Sequence, residues 1–225
     1  MKTGKLCLAK EALLIEKEWQ AEGITVLRAK ICLPQSEGKS RAARRFNRYY
    51  HTYAQAYLRY CEVELLPRSA LRMRSAMECS RPWEIAHAEL TYTVALERED
   101  IISIYTDVTE TGIDLCIRLR RADTWGTEDG LPLPLESFFP AACRVKRLLL
   151  SAARQEILEQ IENGYAFYPR WRRSLRRYYS ARRFYLTPEG LVWFYPPCTL
   201  APAKDGVKHF KLPYSEAGPF LPPLP

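Results

Sequence analysis

Seven arginines, Arg170, Arg172, Arg173, Arg176, Arg177, Arg182 and Arg183, lie in the stretch from Glu162 to Glu189, which has no acidic residue between its ends. A guanidinium presents five donors in a planar fork that matches the oxygens of carboxylates and phosphates. With residues 169–179 in a helix, Arg170, Arg173 and Arg177 fall on one side with Arg176 nearby, and Trp171, Leu175 and Tyr178 form the other. The candidate binding residues are therefore Arg170, Trp171, Arg173, Arg176 and Arg177. Basic charge interleaved with Trp and Tyr suits an acidic protein or an anionic glycan, with nucleic acid the less favoured partner. A solvated helix face neutralised by acids from elsewhere in the fold fits the same residues. The formal net charge is +8, so these seven charges make the basic excess read as one patch.

Residues for bond-breaking chemistry are sparse. The three histidines, His51, His87 and His209, fall on one expected helix and two separate expected strands, and a lone histidine in such a place reads as structural. No His-Glu-x-x-His, Gly-x-x-x-x-Gly-Lys-Ser/Thr or Gly-x-Ser-x-Gly motif occurs. Carboxylates gather at Glu97, Glu99 and Asp100 and again at Glu128 and Asp129, both at expected turns. A glycosidase needs two facing acids at a set separation. The seven cysteines (7, 32, 61, 79, 116, 143 and 198) include no two closer than 18 residues, which excludes Cys-x-x-Cys metal and redox patterns. Most read as small buried apolar residues of a reduced protein. The sequence thus assigns no catalytic residue, metal ligand or cofactor, and reads as a non-enzymatic binding domain. The alternatives are a carbohydrate-active hydrolase built on an unseen acid pair and a nucleic-acid-binding protein using the arginines.

The elements that must carry these residues follow from periodicity. Leu27, Ala29, Ile31 and Leu33 alternate with Arg28, Lys30 and Cys32 as in a half-buried strand ending at Pro34, after a turn at 21–23. Residues 6–19 have helical composition, yet the turn before a strand favours a hairpin. A helix over 39–66 follows, with Phe46, Tyr49, Tyr50, Tyr53, Tyr57, Tyr60 and Cys61 on its core side, and Pro67 ends or kinks it. Strands are expected over 85–96, 101–108 and 113–121, the last with Ile113, Leu115, Ile117 and Leu119 facing the core. A second helix over 141–163 is capped by Gly164, and strands separated by proline turns complete the chain.

Hairpin-length connections between most strands predict an α+β fold, an antiparallel β-sheet with two main α-helices packed on one face. The expected organisation is a single composite domain over 1–221, with halves at about 6–121 and 131–221 and a proline-rich tail at 222–225. No apolar run approaches the length of a membrane span, and the N-terminal stretch is broken by Lys10 and Glu11, unlike a secretion signal. The expected location is cytoplasmic.

The final third carries a family resemblance. Phe184 to Tyr195, Ala201-Pro202, Asp205-Gly206 and Leu212-Pro213-Tyr214-Ser215-Glu216 resemble a family of bacterial domains of uncharacterised function. These domains form the extracytoplasmic sensor of RsiV-type anti-sigma factors, which are receptors for lysozyme, and accompany some peptidoglycan deacetylases. Lys30 to Gln35, the helix containing Asn47 and Tyr50, and Leu135 to Phe139 look like the upstream parts of the same family. The resemblance implies an antiparallel sheet with packed helices and a sensor-like binding role. The family's Gly-Gly-Ala-His-Gly stretch is replaced here by Thr109-Glu110-Thr111-Gly112-Ile113, so lysozyme itself is not carried over as the ligand.

Overall fold

The computed structural model of the chain describes residues 4–113, 117–216 and 218–220. Its fold is α+β, with a five-stranded sheet in the order β1-β2-β3-β4-β5 and a three-stranded sheet in the order β6-β7-β8. The chain divides into two compact units. One takes the N-terminal part through Tyr92 with Thr106–Arg118 and Thr127–Leu131; the other takes Thr93–Tyr105, Leu119–Gly126 and the chain from Pro132 onward. Three of the divisions fall inside strands, β3 (Ala86–Glu97), β4 (Ile101–Thr111) and β5 (Ile117–Gly126), where no turn residue marks them.

In the first unit, β1 (Leu13–Ala21) and β2 (Ile24–Leu33) form an antiparallel hairpin in which Ala21 faces Ile24. Glu22 and Gly23 make the two-residue turn with φ of 55° and 77°, a backbone hand that matches the twist of the strands it joins. The inward residues of β2, Leu27, Ala29, Ile31 and Leu33, are buried as their alternation requires. β2 then pairs with β3 in parallel, Leu27 opposite Ala86 and Ile31 opposite Leu90. This parallel pair departs from an all-antiparallel sheet, because a long helical crossover returns the chain to the same end before β3 begins.

That crossover starts at α1 (Arg41–Tyr60), whose N-cap Ser40 accepts a hydrogen bond from the Ala43 amide at 3.0 Å. Phe46, Tyr50 and Tyr57 are buried, as the aromatic stripe predicts, with Ala43 and Ala54 filling the gaps between them. The helix does not stop at Pro67. One π turn, Cys61–Leu65, leads directly into α2 (Leu66–Glu78). Proline cannot donate to the helical ladder and its ring crowds the carbonyl four residues earlier. The wider turn, in which the Leu66 amide reaches the Cys61 carbonyl, absorbs that conflict.

The second unit contains α3 (Val145–Glu162), α4 (Trp171–Arg177), β6 (Phe184–Thr187), β7 (Gly190–Tyr195) and β8 (Lys208–Pro213). α3 ends in a left-handed cap: Gly164 has φ 85°, its amide donates to the Ile161 carbonyl, and the Tyr165 amide reaches the Gln160 carbonyl. Every residue of β7 is buried, since it is the central strand of its sheet. Gly190 is required there because a Cβ would lie 2.4 Å from the Leu212 carbonyl oxygen. Tyr214 closes the terminal motif, its hydroxyl donating to the Thr187 carbonyl at 2.8 Å. Leu149, Ala153 and Ile157 of α3 share a core with Trp171, Leu175, Leu186, Leu191 and Trp193.

Three sequence expectations need correction. β5 runs to Gly126 rather than ending at Arg121, and at Leu119 the expected phase is reversed. Leu119 is 49% exposed, while the Arg120 guanidinium lies 3.9 Å over the Tyr105 ring and donates to the Tyr185 hydroxyl at 3.4 Å. An aromatic face accepts a guanidinium where an apolar residue was expected. Among the described cysteines only Cys61 is buried; Cys7, Cys79 and Cys198 are exposed because they sit in connecting segments or at a helix end. Tyr178 is 40% exposed, so it does not join Trp171 and Leu175 on the core side of α4. The alternation expected at Asp114, Leu115 and Cys116 and the 222–225 tail lie outside the described residues.

Candidate functional site

The arginine segment folds as expected around α4, and its position is set by two buried anchors. Trp171 and Leu175, one turn apart, are 4% and 0% exposed in the core of the second unit. A seven-residue helix does not persist alone, and this one is also held at its C-terminal end. The buried Tyr195 hydroxyl donates to the Leu175 carbonyl at 2.9 Å, and Arg183 donates to the Tyr178 carbonyl at 3.0 Å. Burial pushes the Tyr195 phenol above its ordinary pKa, so it remains a donor across the physiological range.

The opposite side of α4 presents Arg172, Arg173, Arg176 and Arg177, which with Arg154 of α3 line an open depression of about 690 Å³. A second depression of about 830 Å³ adjoins it, lined by Arg144, Lys146, Arg147, Arg154 and Arg176 together with Cys143, Val145, Leu150 and Ser151. Arg154 and Arg176 line both. The one acid in either lining is Glu136. Among the described residues none of these eight cations is in an ion pair. The Arg154 Nε is sealed from solvent without a hydrogen-bond partner. Arg172 lies 4.5 Å over the Trp171 ring and Lys146 lies 5.2 Å over Tyr179, contacts that hold side chains without neutralising them.

Of the residues singled out from sequence, the structure brings Arg173, Arg176 and Arg177 together. Arg170, the N-cap of α4, is outside the lining, and Trp171 is a buried anchor rather than a contact surface. Sequence reasoning missed Arg144, Lys146, Arg147 and Arg154. Their signal was a second acid-free stretch, from Ser137 to Gln155, in which residues 144, 147 and 154 share one helix face with Ser151. The basic excess is also not one patch. Arg41, Arg44, Arg45 and Arg48 line a separate depression on α1, where Arg45 donates to the Asp129 carbonyl at 2.9 Å. A chain-wide sum cancels such clusters against distant acids, whereas the field near them does not cancel.

Two of the other candidate groups, Asp100 and Asp129, serve local structure. Asp100 pairs with Arg98 at 3.2 Å in the β3–β4 turn, and the Asp129 carboxylate accepts the Leu131 amide at 2.9 Å. His51, His87 and His209 are exposed on α1, β3 and β8. Among the described residues no group of three or more His, Cys, Asp or Glu side chains could hold a metal ion. No helix among them is long and apolar enough to cross a membrane.

With this geometry in place, relatives can be compared. Residues 145–215, from the start of α3 to just beyond β8, match the sequence profile of a family described as "Protein of unknown function (DUF3298)". Over that segment the chain is similar to DUF3298. The fold of nearly the whole chain is similar to the crystal structure of a member of the DUF3298 family from Bacteroides fragilis, with a TM-score of 0.67 and 16% identity over 94% of this chain and 92% of that one. It is also similar to a DUF3298 family protein from Pseudomonas aeruginosa PAO1, with a TM-score of 0.56 and 12% identity over 92% of this chain and 91% of that one. At these identities the likeness is one of fold. No curated protein matches.

Proposed function

We propose that this chain is a non-enzymatic, sensor-like binding domain of the RsiV type, and that it contacts its ligand through the α3/α4 groove. The observation that carries this reading is the set of eight cations lining two adjoining depressions without an ion pair among the described residues. The arrangement opposes stability. Arg172 and Arg176, and likewise Arg173 and Arg177, are like-charge pairs four residues apart, each costing about 0.2–0.5 kcal/mol. Arg144 and Arg147 sit at the positive end of α3, whose first turn has no acid. An anionic ligand supplies the counter-charge. The terminal motif from Phe184 to Tyr214 acts as scaffold, since its strands and the Tyr195 hydroxyl fix where α4 points.

The test is a comparison of wild type with the Arg173→Glu/Arg176→Glu/Arg177→Glu variant on a panel of immobilised anionic polymers. The reading expects retention by wild type, elution with rising salt, and loss of retention by the variant with its thermal unfolding preserved. Equal retention of both proteins would refute the groove as the contact surface.

A further inference from the structure

We infer that the α3/α4 groove is a site for a linear phosphate polymer without stacking bases. This deepens the preceding proposal, since it rests on the groove's being an anion site. Three features of the groove narrow the ligand class: its length, its charge density and the chemistry of its walls.

The two depressions share Arg154 and Arg176, so an extended ligand can pass from one to the other without leaving the cations. Arg144 to Arg154 spans ten residues of α3, about 15 Å at the helical rise. Five cations line the depression along that length, roughly one positive charge every 3 Å. An extended acidic peptide advances about 3.4 Å per residue and turns alternate side chains to opposite faces, so each face carries an acid only about every 7 Å. A uronic-acid glycan carries at most one carboxylate per sugar ring, which is also sparser than the cations.

Each depression has cations from both helices: Arg176 of α4 joins Arg144, Arg147 and Arg154 in one, and Arg154 of α3 joins Arg172, Arg173, Arg176 and Arg177 in the other. A carboxylate holds its acceptor sites in one plane, and a single guanidinium fork takes the outward-facing pair. A bridging phosphate has two free oxygens set tetrahedrally, so it can accept from opposite walls at once. Seven of the eight cations are arginine, the side chain suited to such oxyanions. Base recognition is the missing component. Single-stranded nucleic acid is held by aromatic platforms as well as charge, and no aromatic ring lines either depression, Trp171 being buried. The remaining class is inorganic polyphosphate, which carries a charge on every phosphorus with a single bridging oxygen between neighbours; a polyol-phosphate polymer, with a carbon spacer in each repeat, is as sparse as the ligands already set aside.

The experiment is a titration of the full chain with five probes: inorganic polyphosphate, poly(glycerol phosphate), poly-glutamate, polygalacturonate and oligo-dT. The inference expects inorganic polyphosphate to bind at least about tenfold more tightly than the other four, with a log-log salt slope near −0.7 for each phosphate neutralised. Tighter binding of poly(glycerol phosphate) at the same residues would overturn the charge-spacing argument. The Arg154→Gln/Arg176→Gln variant is expected to lose about tenfold or more in affinity and to flatten the slope by about 1.4, two phosphate contacts. Arg176→Gln alone, on an exposed helix face, gives the same direction if the double variant unfolds. The charge-matched Arg41→Gln/Arg44→Gln variant on α1 is expected to stay within about twofold, because these residues line a separate depression, whereas a general field effect would weaken both variants equally. Tighter binding of poly-glutamate, polygalacturonate or oligo-dT at the same residues would overturn the phosphate assignment and leave the anion groove standing. No binding of any probe, or equal losses in the α1 control, would overturn both.

Discussion

Beside its two apolar anchors, the arginine helix is held at its C-terminal end by a buried phenol, which makes Tyr195→Phe the most informative substitution away from the groove itself. The change removes a single oxygen from a residue that is 1% exposed and leaves its ring contact with Phe210, 5.9 Å between centroids, in place. The Leu175 carbonyl, 2.9 Å from that hydroxyl, lies in the last turn of α4, where helical partners have run out. A lost hydrogen bond is worth about 1 kcal/mol net, and a buried acceptor left unpaired costs about 1–3 kcal/mol, so the expected destabilisation is about 2 kcal/mol. Denaturant unfolding should report a lower midpoint at unchanged slope. Hydrogen exchange gives a local readout: if α4 detaches before the rest of the unit unfolds, its amides exchange about 30-fold faster, the equivalent of 2 kcal/mol. Tyr178→Phe, on the half-exposed neighbour, should change stability by less than about 0.5 kcal/mol. An equal, small effect of both substitutions would refute the view that Tyr195 anchors the arginine helix.

Further predictions concern the scaffold. Ser103 is fully buried, shares a 2.8 Å hydrogen bond with Thr124 and accepts the Leu186 amide at 2.8 Å, so Ser103→Ala should cost about 2–3 kcal/mol by orphaning two groups, measured by chemical denaturation. Gly190→Ala should lower the thermal midpoint by several degrees, because the added methyl meets the Leu212 carbonyl rather than a side chain that could move. Glu110 is 2% exposed, with the Tyr60 hydroxyl donating to it at 3.3 Å, and burial holds its pKa above the usual carboxylate range. In the window between the ordinary and the raised value the unfolded chain binds fewer protons than the folded one. Stability therefore falls as pH rises through that window. Glu110→Gln should remove this slope, and parallel stability curves for wild type and variant from pH 4 to 8 would contradict it.

Much of the fold was legible because its signals are local. The β2 alternation, the Glu22-Gly23 turn, the α1 aromatic stripe and the Gly164 cap each depend on residues within a few positions of one another. What escaped depends on distant partners. The parallel β2–β3 pair follows from where the helical crossover delivers the chain, and the inward-facing Arg120 depends on the Tyr105 and Tyr185 rings. The candidate groove was half legible for the same reason. Arg173, Arg176 and Arg177 announced themselves by density in sequence, whereas Arg144, Lys146, Arg147 and Arg154 joined them only when α3 packed beside α4. Trp171 was misread as a contact because an amphipathic helix offers its aromatic residue equally well to a ligand or to a core.

The central claim, that this domain binds an anion in the α3/α4 groove, is tested most directly by hydrogen-exchange footprinting with and without inorganic polyphosphate. The account predicts added protection at the start of α3, around Val145 to Arg147, and along α4 from Trp171 to Arg177, with α1 unchanged. Protection confined to α1, or none anywhere at saturating polymer, would contradict it.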